Sequence, residues 1–203
     1  GLSLENYVVM HEAQRRTKEY ELLTQIGQAI SSHLDQEEIF SAIQKELGQI
    51  FDTNNFFIAF QSGDEVHFEL ELVDGKILSK RTRKFDNSLS EYVIRTGQPL
   101  LIRSNVEQVR ERLGVIYVTA NRAIKSFCAA PIFLGGKSVG IMAALSPDRE
   151  YVFEQRDLEV MQTAAGQVSV AVENARLFQE EQRRSRQLAF LNNVSKMAIS
   201  SES

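Results

Sequence analysis

The sequence predicts an α+β domain: an antiparallel sheet with helices on both faces and long helices at the N- and C-terminal ends. Three observations predict it. Ser126–Leu134 and Val139–Leu145 are two apolar runs of strand length joined by a Gly135-Gly136-Lys137 turn, which makes a hairpin. Each run is apolar or small on both sides, so layers must cover the sheet above and below. Apolar stripes at helical spacing flank the strands, with Leu22, Leu23, Ile26, Ala29, Ile30 and Leu34 at one end and Val160, Met161, Ala164, Ala165, Val168, Val172, Ala175 and Phe178 at the other.

The elements follow in order. Residues 1–34 carry helix signals without proline, and polar Glu12–Glu19 is expected to project into solvent or pair with another helix. Asp35 caps a second helix with Glu38 as its capping-box partner, and Ile39, Ile43, Leu47 and Ile50 form its buried face beside Phe40 and Phe51. Asp52-Thr53-Asn54-Asn55 breaks that helix before a short buried strand, Phe56–Phe60. In the next strand Val66, Phe68, Leu70 and Leu72 point one way, and His67, Glu69 and Glu71 the other. Asp74-Gly75 is a hairpin turn, and Lys76–Phe85 is read as one further strand. Residues 103–125 are irregular apart from a short helix over Val106–Leu113, and the last helix runs from Glu154 nearly to the end.

Composition narrows the function. The 203 residues suit one domain with extensions, and a net charge of −4 argues against broad polyanion binding. A single cysteine excludes an internal disulfide and fits a reducing cytosol, so the expected location is cytoplasmic. The chain starts at Gly1 without a signal-like segment, which reads as a piece of a longer protein.

Chemistry is sparse. Cys128 lies between apolar strand residues and reads as a small buried hydrophobe, since a reactive thiol needs a cation or helix N-terminus beside it. His11, His33 and His67 lack ligand spacing, so no metal site is expected, and His67 is placed on the solvent side of its strand. No Ser-His-Asp grouping or phosphate loop occurs, so no catalytic residue and no enzyme activity is expected. Lys80-Arg81-Thr82-Arg83-Lys84 is read as a solvated edge strand whose cations deter edge pairing; no nucleic-acid partner is assigned to it.

The Pro131-Ile132 and Val139-Gly140-Ile141 steps resemble the final hairpin of a GAF domain, the small-molecule-binding signalling module. Ser88–Arg95, the Thr96-Gly97-Gln98-Pro99 turn and Leu100–Ile102 resemble that family's mid-domain helix, turn and next strand. The likeness covers residues 20–180, leaving 1–19 as an N-terminal linker or signalling helix. Residues 181–203 read as a linker helix and the start of a second such domain, because Leu191–Ser200 echoes Leu23–Ser32 at an offset of 168.

The resemblance implies a GAF/PAS-like sheet of about six strands, with terminal helices on one face and a pocket on the other. Candidate pocket residues are Val73, Asp74, Leu89, Ser90, Tyr117, Thr119, Ala120 and Ile124, with Arg122 and Lys125 nearby. Cyclic-nucleotide-binding relatives carry an Asn, Lys, Phe, Asp and Glu motif whose salt bridge holds the pocket cover. Here Phe153 and Asp157 match, but Ser146-Pro147 replaces Asn-Lys and Leu158 replaces Glu. Cyclic nucleotides are therefore not expected, Phe153 becomes a helix anchor and Asp157 a first-turn acid. Neither bilin attachment nor methionine sulfoxide reduction fits one cysteine followed by alanine, so no cofactor is assigned. The implied role is a non-catalytic sensor of a bacterial signalling protein, of two-component or related type. It would bind a small molecule and act as a homodimer through coiled-coil-like terminal helices that lead to an output domain in the same polypeptide. The alternative is a ligand-free dimerisation module whose pocket is filled by Phe85 and Tyr92.

Overall fold

The computed structural model describes residues 36–116 and 123–200. The expected helix over residues 5–34 and the cap at Asp35 lie outside the described residues, as do His11, His33, Tyr117, Thr119, Ala120 and Arg122. The chain forms α1 (Gln36–Leu47), β1 (Phe56–Ser62), β2 (Glu65–Val73), β3 (Lys76–Ile77), β4 (Arg81–Lys84), α2 (Leu89–Thr96) and β5 (Leu100–Ile102). It continues through α3 (Val106–Leu113), β6 (Ser126–Leu134), β7 (Lys137–Ser146) and α4 (Gln155–Ser200). The strands form one antiparallel sheet in the order β3-β2-β1-β7-β6-β5, with β4 also paired to β2.

Two departures from the sequence reading share one cause. Opposite β1, Leu70 pairs with Ile58 but Phe68 pairs with Ala59, so Glu69 is one residue in excess and β2 carries a bulge. Leu70 and Leu72 therefore face the side of the sheet that holds Phe56 and Ile58, while Val66 and Phe68 face the side that holds Phe57 and Ala59. The even alternation of the sequence hides this switch, because layers on both faces bury all four residues equally well. The expected single strand over Lys76–Phe85 is also split. β3 pairs with Leu72 and Val73, β4 pairs with Glu65–Phe68, and the break falls beside the bulge, where the bent edge of β2 offers no continuous ladder.

One sheet face packs on α1 and the first part of α4. Ile39, Phe40, Ile43 and Leu47 of α1 meet Met161, Ala164, Ala165 and Val168 of α4 over the sheet residues Ile58, Ala130, Ile132 and Met142. Small residues on both partners, Ala164 and Ala165 against Ala130 and Ala144, let α4 approach the strands closely. The expected buried stripe of α4 stops early: Ala171 is buried and Val172 half-buried, but Phe178 is 51% exposed. The helix has left the sheet by that point and continues in one piece to Ser200. Among the described residues no helix is long and apolar enough to cross a membrane.

Candidate functional site: the second sheet face and its charged rim

The other face of the sheet is an apolar floor closed by α2 and α3. Phe57, Phe68, Phe127, Ala129, Ile141 and Ala143 form the floor, and Leu89, Val93, Ile94 and Val106 come down on it from the two helices. Phe57 and Phe68 lie with ring centroids 5.4 Å apart and tilted by 52°. Burying each such ring is worth about 1.5–3 kcal/mol, so this face contributes to the core as well as to any site. Phe85, Tyr92, Leu113 and Ile124 are half-buried against the same cluster.

A row of charges borders this floor along β4 and α2. Glu71, opposite Phe57, accepts a forked pair of hydrogen bonds from Arg81, from Nε at 2.6 Å and Nη2 at 2.7 Å. The Arg81 guanidinium lies 3.8 Å above the Phe68 ring, within cation–π range. Arg83 donates to Glu91, whose side chain is fully buried. Ser88 caps α2: its hydroxyl accepts from the Ser90 amide at 3.2 Å and donates to Glu91, which also accepts the Ser88 amide at 3.1 Å. Burial pushes the Glu91 carboxyl up, but the hydrogen bonds from Arg83 and Ser88 and the Arg83 charge outweigh it, so the group stays ionised below the usual carboxylate range. Sequence reasoning missed this pair by treating Arg83 as solvated, although its side chain is only 13% exposed. The signal present was Ser88-x-x-Glu91 ahead of an apolar helix face. Lys80 does stay at the surface as expected, bridging Glu37 at 2.6 Å and Glu69 at 2.9 Å.

The candidate pocket residues are distributed over this region unevenly. Leu89 joins the apolar cluster, Ser90 is buried on α2 beneath the cap, and Ile124 packs on the cluster's edge. Val73 ends β2 with its side chain half-buried. Asp74 sits in the β2–β3 turn in left-handed backbone (φ 51), its amide donating to Asn55 Oδ1 at 3.2 Å. It lines a polar cleft of about 280 Å³ at the end of the sheet, with Asp52, Asn54, Ser146, Asp148 and Arg149. That cleft is a different place from the apolar floor. Lys125 is exposed, and its amide donates to Ser146 O at 2.8 Å.

None of these groups is set up for covalent chemistry. Cys128 is fully buried on the helix-covered face, and desolvation, aided by the charge of Asp157, pushes its thiol up to about 12. His67 is half-exposed on β2 between Phe60 of β1 and Thr82 of β4, with Nδ1 3.1 Å from Thr82 Oγ1 and Nε2 3.7 Å from Glu65. Among the described residues no cluster of histidine, cysteine or carboxylate side chains is arranged to hold a metal ion.

Phe153 and Asp157 take the roles that the departures from the nucleotide motif imply. Phe153 is fully buried, edge-on to Phe51 with centroids 6.1 Å apart, and Asp157 Oδ2 accepts the Glu154 amide at 2.8 Å at the start of α4. Where those relatives carry Asn-Lys, Ser146 closes a local turn instead. Its hydroxyl accepts from Arg149 N and donates to Asp148, each at 3.2 Å, and Arg149 reaches Asp52 at 2.6 Å.

A central antiparallel sheet with core helices on one face and short helices closing an apolar floor on the other defines an α+β domain with a sheet covered on both faces. The chain belongs to the GAF domain family, whose profile matches residues 35–172. It is 25% identical over 174 residues to the formate hydrogenlyase transcriptional activator FhlA of Escherichia coli (strain K12), covering 82% of this chain and 25% of that protein. The corresponding activator of Salmonella typhimurium is 24% identical over 172 residues, with the same coverage. The chain thus spans about a quarter of the length of these relatives. Among solved structures it is similar to residues 122 to 287 of a methyl-accepting chemotaxis protein, with a TM-score of 0.61 and 17% identity over 77% of this chain and 99% of that one. The free methionine-R-sulfoxide reductase of Neisseria meningitidis gives a TM-score of 0.61 and 16% identity, covering 78% of this chain and 90% of that one. At such identities the likeness is one of fold.

Proposed function

We propose that this chain is a non-catalytic regulatory sensor domain that binds a small molecule over the apolar floor and passes the event along α4 to an output domain of the same polypeptide. The observation that carries this reading is the continuity of α4. Its first turns are part of the core, from Leu158 to Ala171, and the same helix then runs on past the sheet to Ser200. At 1.5 Å per residue the whole helix is about 70 Å long, and the part beyond Ala171 about 45 Å. Leu177, Phe178 and Leu188 are about half exposed on the projecting part, which suits pairing with a second copy, so the acting unit is a homodimer. The relatives in hand are transcriptional activators, and control of transcription is the output this reading puts first. A ligand acts only if it binds two arrangements of the helices with different affinity.

Calorimetric titration against a metabolite panel, followed by cysteine cross-linking along α4 with and without any hit, tests the reading. Binding with a changed cross-linking pattern is the expected result; binding with an unchanged pattern, or a strictly monomeric chain, would overturn it. A second reading, a ligand-free dimerisation module, draws on Phe85 and Tyr92, which already pack against the floor. In that case no titrant gives heat, while the dimer persists.

A further inference from the structure

Two turns distant in sequence grip each other at the point where α3 and α4 begin. Tyr151 donates its amide to Arg103 O at 2.7 Å, and the Arg103 guanidinium lies 5.4 Å from the centre of the Tyr151 ring. One residue back, Glu150 Oε1 accepts the Asn105 amide at 3.2 Å. Asn105 is the N-cap of α3 but makes no side-chain cap bond, so the Glu150 carboxylate adds a second acid, beside Glu107, at that helix terminus. Both contacting residues are in left-handed backbone, Asn105 at φ 53 and Tyr151 at φ 57. For tyrosine that region costs about 1–2 kcal/mol and persists only where the surroundings enforce it. The same loop is held from a third side, since Ser126 Oγ donates to Arg149 O at 3.1 Å. Two residues beyond Tyr151, Phe153 anchors the start of α4.

We propose that Arg103–Asn105 and Glu150–Tyr151 form a latch that ties the N-cap of α3 to the loop that leads into α4. α3 itself closes part of the apolar floor through Val106, and α4 is the helix that leaves the domain. The latch joins those two ends in one rigid contact outside the floor itself. A displacement of α3 then reaches α4 through the strained Tyr151 backbone without passing through the sheet. This regulation rests on the sensor reading above, but its test uses no ligand, so a failure of the latch is distinguishable from a failure of that reading.

Native-state amide exchange, read by mass spectrometry on the whole chain, compares the wild type with the Arg103→Ala/Glu150→Ala double variant. Exchange over residues 103–113 and 149–160 should rise together, each by about tenfold, while β1, β6 and β7 keep their wild-type rates. A rise in one region only, in neither, or evenly across the sheet overturns the latch. Should the double variant not fold, Tyr151→Gly decides. Glycine tolerates the left-handed backbone and keeps the amide donor but removes the ring under the guanidinium. A paired rise in both regions supports the latch and an unpaired one overturns it.

Discussion

At the scale of single residues, Glu91 has the largest stake. A buried carboxylate is costly unless it is paired and hydrogen-bonded, and here Arg83, the Ser88 hydroxyl and the Ser88 amide together satisfy it. Glu91→Gln keeps the shape but leaves Arg83 with a buried, uncompensated charge. It should cost about 3 kcal/mol at neutral pH, the lower end for breaking a buried pair because Arg83 keeps some exposure. The pH dependence has a definite sign. The folded carboxyl titrates below its ordinary value of 4.5, so its contribution is full above that pH and is lost as pH falls through the folded value. Urea unfolding of the wild type and the variant between neutral and acid pH should therefore give curves that converge on acidification; a gap that widens would contradict the assignment. Cys128 needs no such balancing, because a neutral thiol in an apolar layer behaves as a small hydrophobe, as its apolar flanks imply.

At the scale of elements, the hairpin of β6 and β7 was legible because its apolar runs and glycine turn leave one arrangement open. α3 was equally legible: its bounds of Val106–Leu113 match the pattern in the sequence. The β2 bulge was not, since Val66, Phe68, Leu70 and Leu72 keep a strict period of two and only pairing with β1 reveals that Glu69 is supernumerary. The fate of Arg83 was hidden for a related reason. A run of cations reads as solvent-facing until a helix from later in the chain brings a carboxylate down on it. Of the candidate pocket residues, Leu89 is on the apolar floor and Asp74 in the polar cleft, a separation set by which end of β2 each approaches. One position in the central pair of strands is tightly specified. A Cβ on Gly140 would come 2.7 Å from Ala59 O and 2.8 Å from Phe60 Cδ1, and the carbonyl cannot give way without breaking the ladder. Gly140→Ala should destabilise by about 1–3 kcal/mol, read as a lower denaturation midpoint, whereas an unchanged midpoint would mean that β1 and β7 can part there.

At the scale of the whole molecule, α4 is the element that extends furthest beyond the sheet. Arg176 is held along it by Glu173 and Glu180, surface pairs that support the helix without fixing a partner. The half-exposed Leu177 and Phe178 are the groups a second copy would cover. Leu177→Asp/Phe178→Asp should therefore leave thermal unfolding of the sheet nearly unchanged while shifting sedimentation from dimer to monomer. A variant that sediments like the wild type would place the contact elsewhere. The fold as a whole was readable from the order of its pieces, because each layer announces itself in the apolar pattern of its own segment.

The extra residue in β2 has an evolutionary consequence. One strand serves two clients: its first half belongs to the floor beneath α2 and α3, and its second half to the layer beneath α1 and α4. Val66 and Phe68 can therefore vary with the layer beneath α2 and α3 while Leu70 and Leu72 go on packing against α1 and α4.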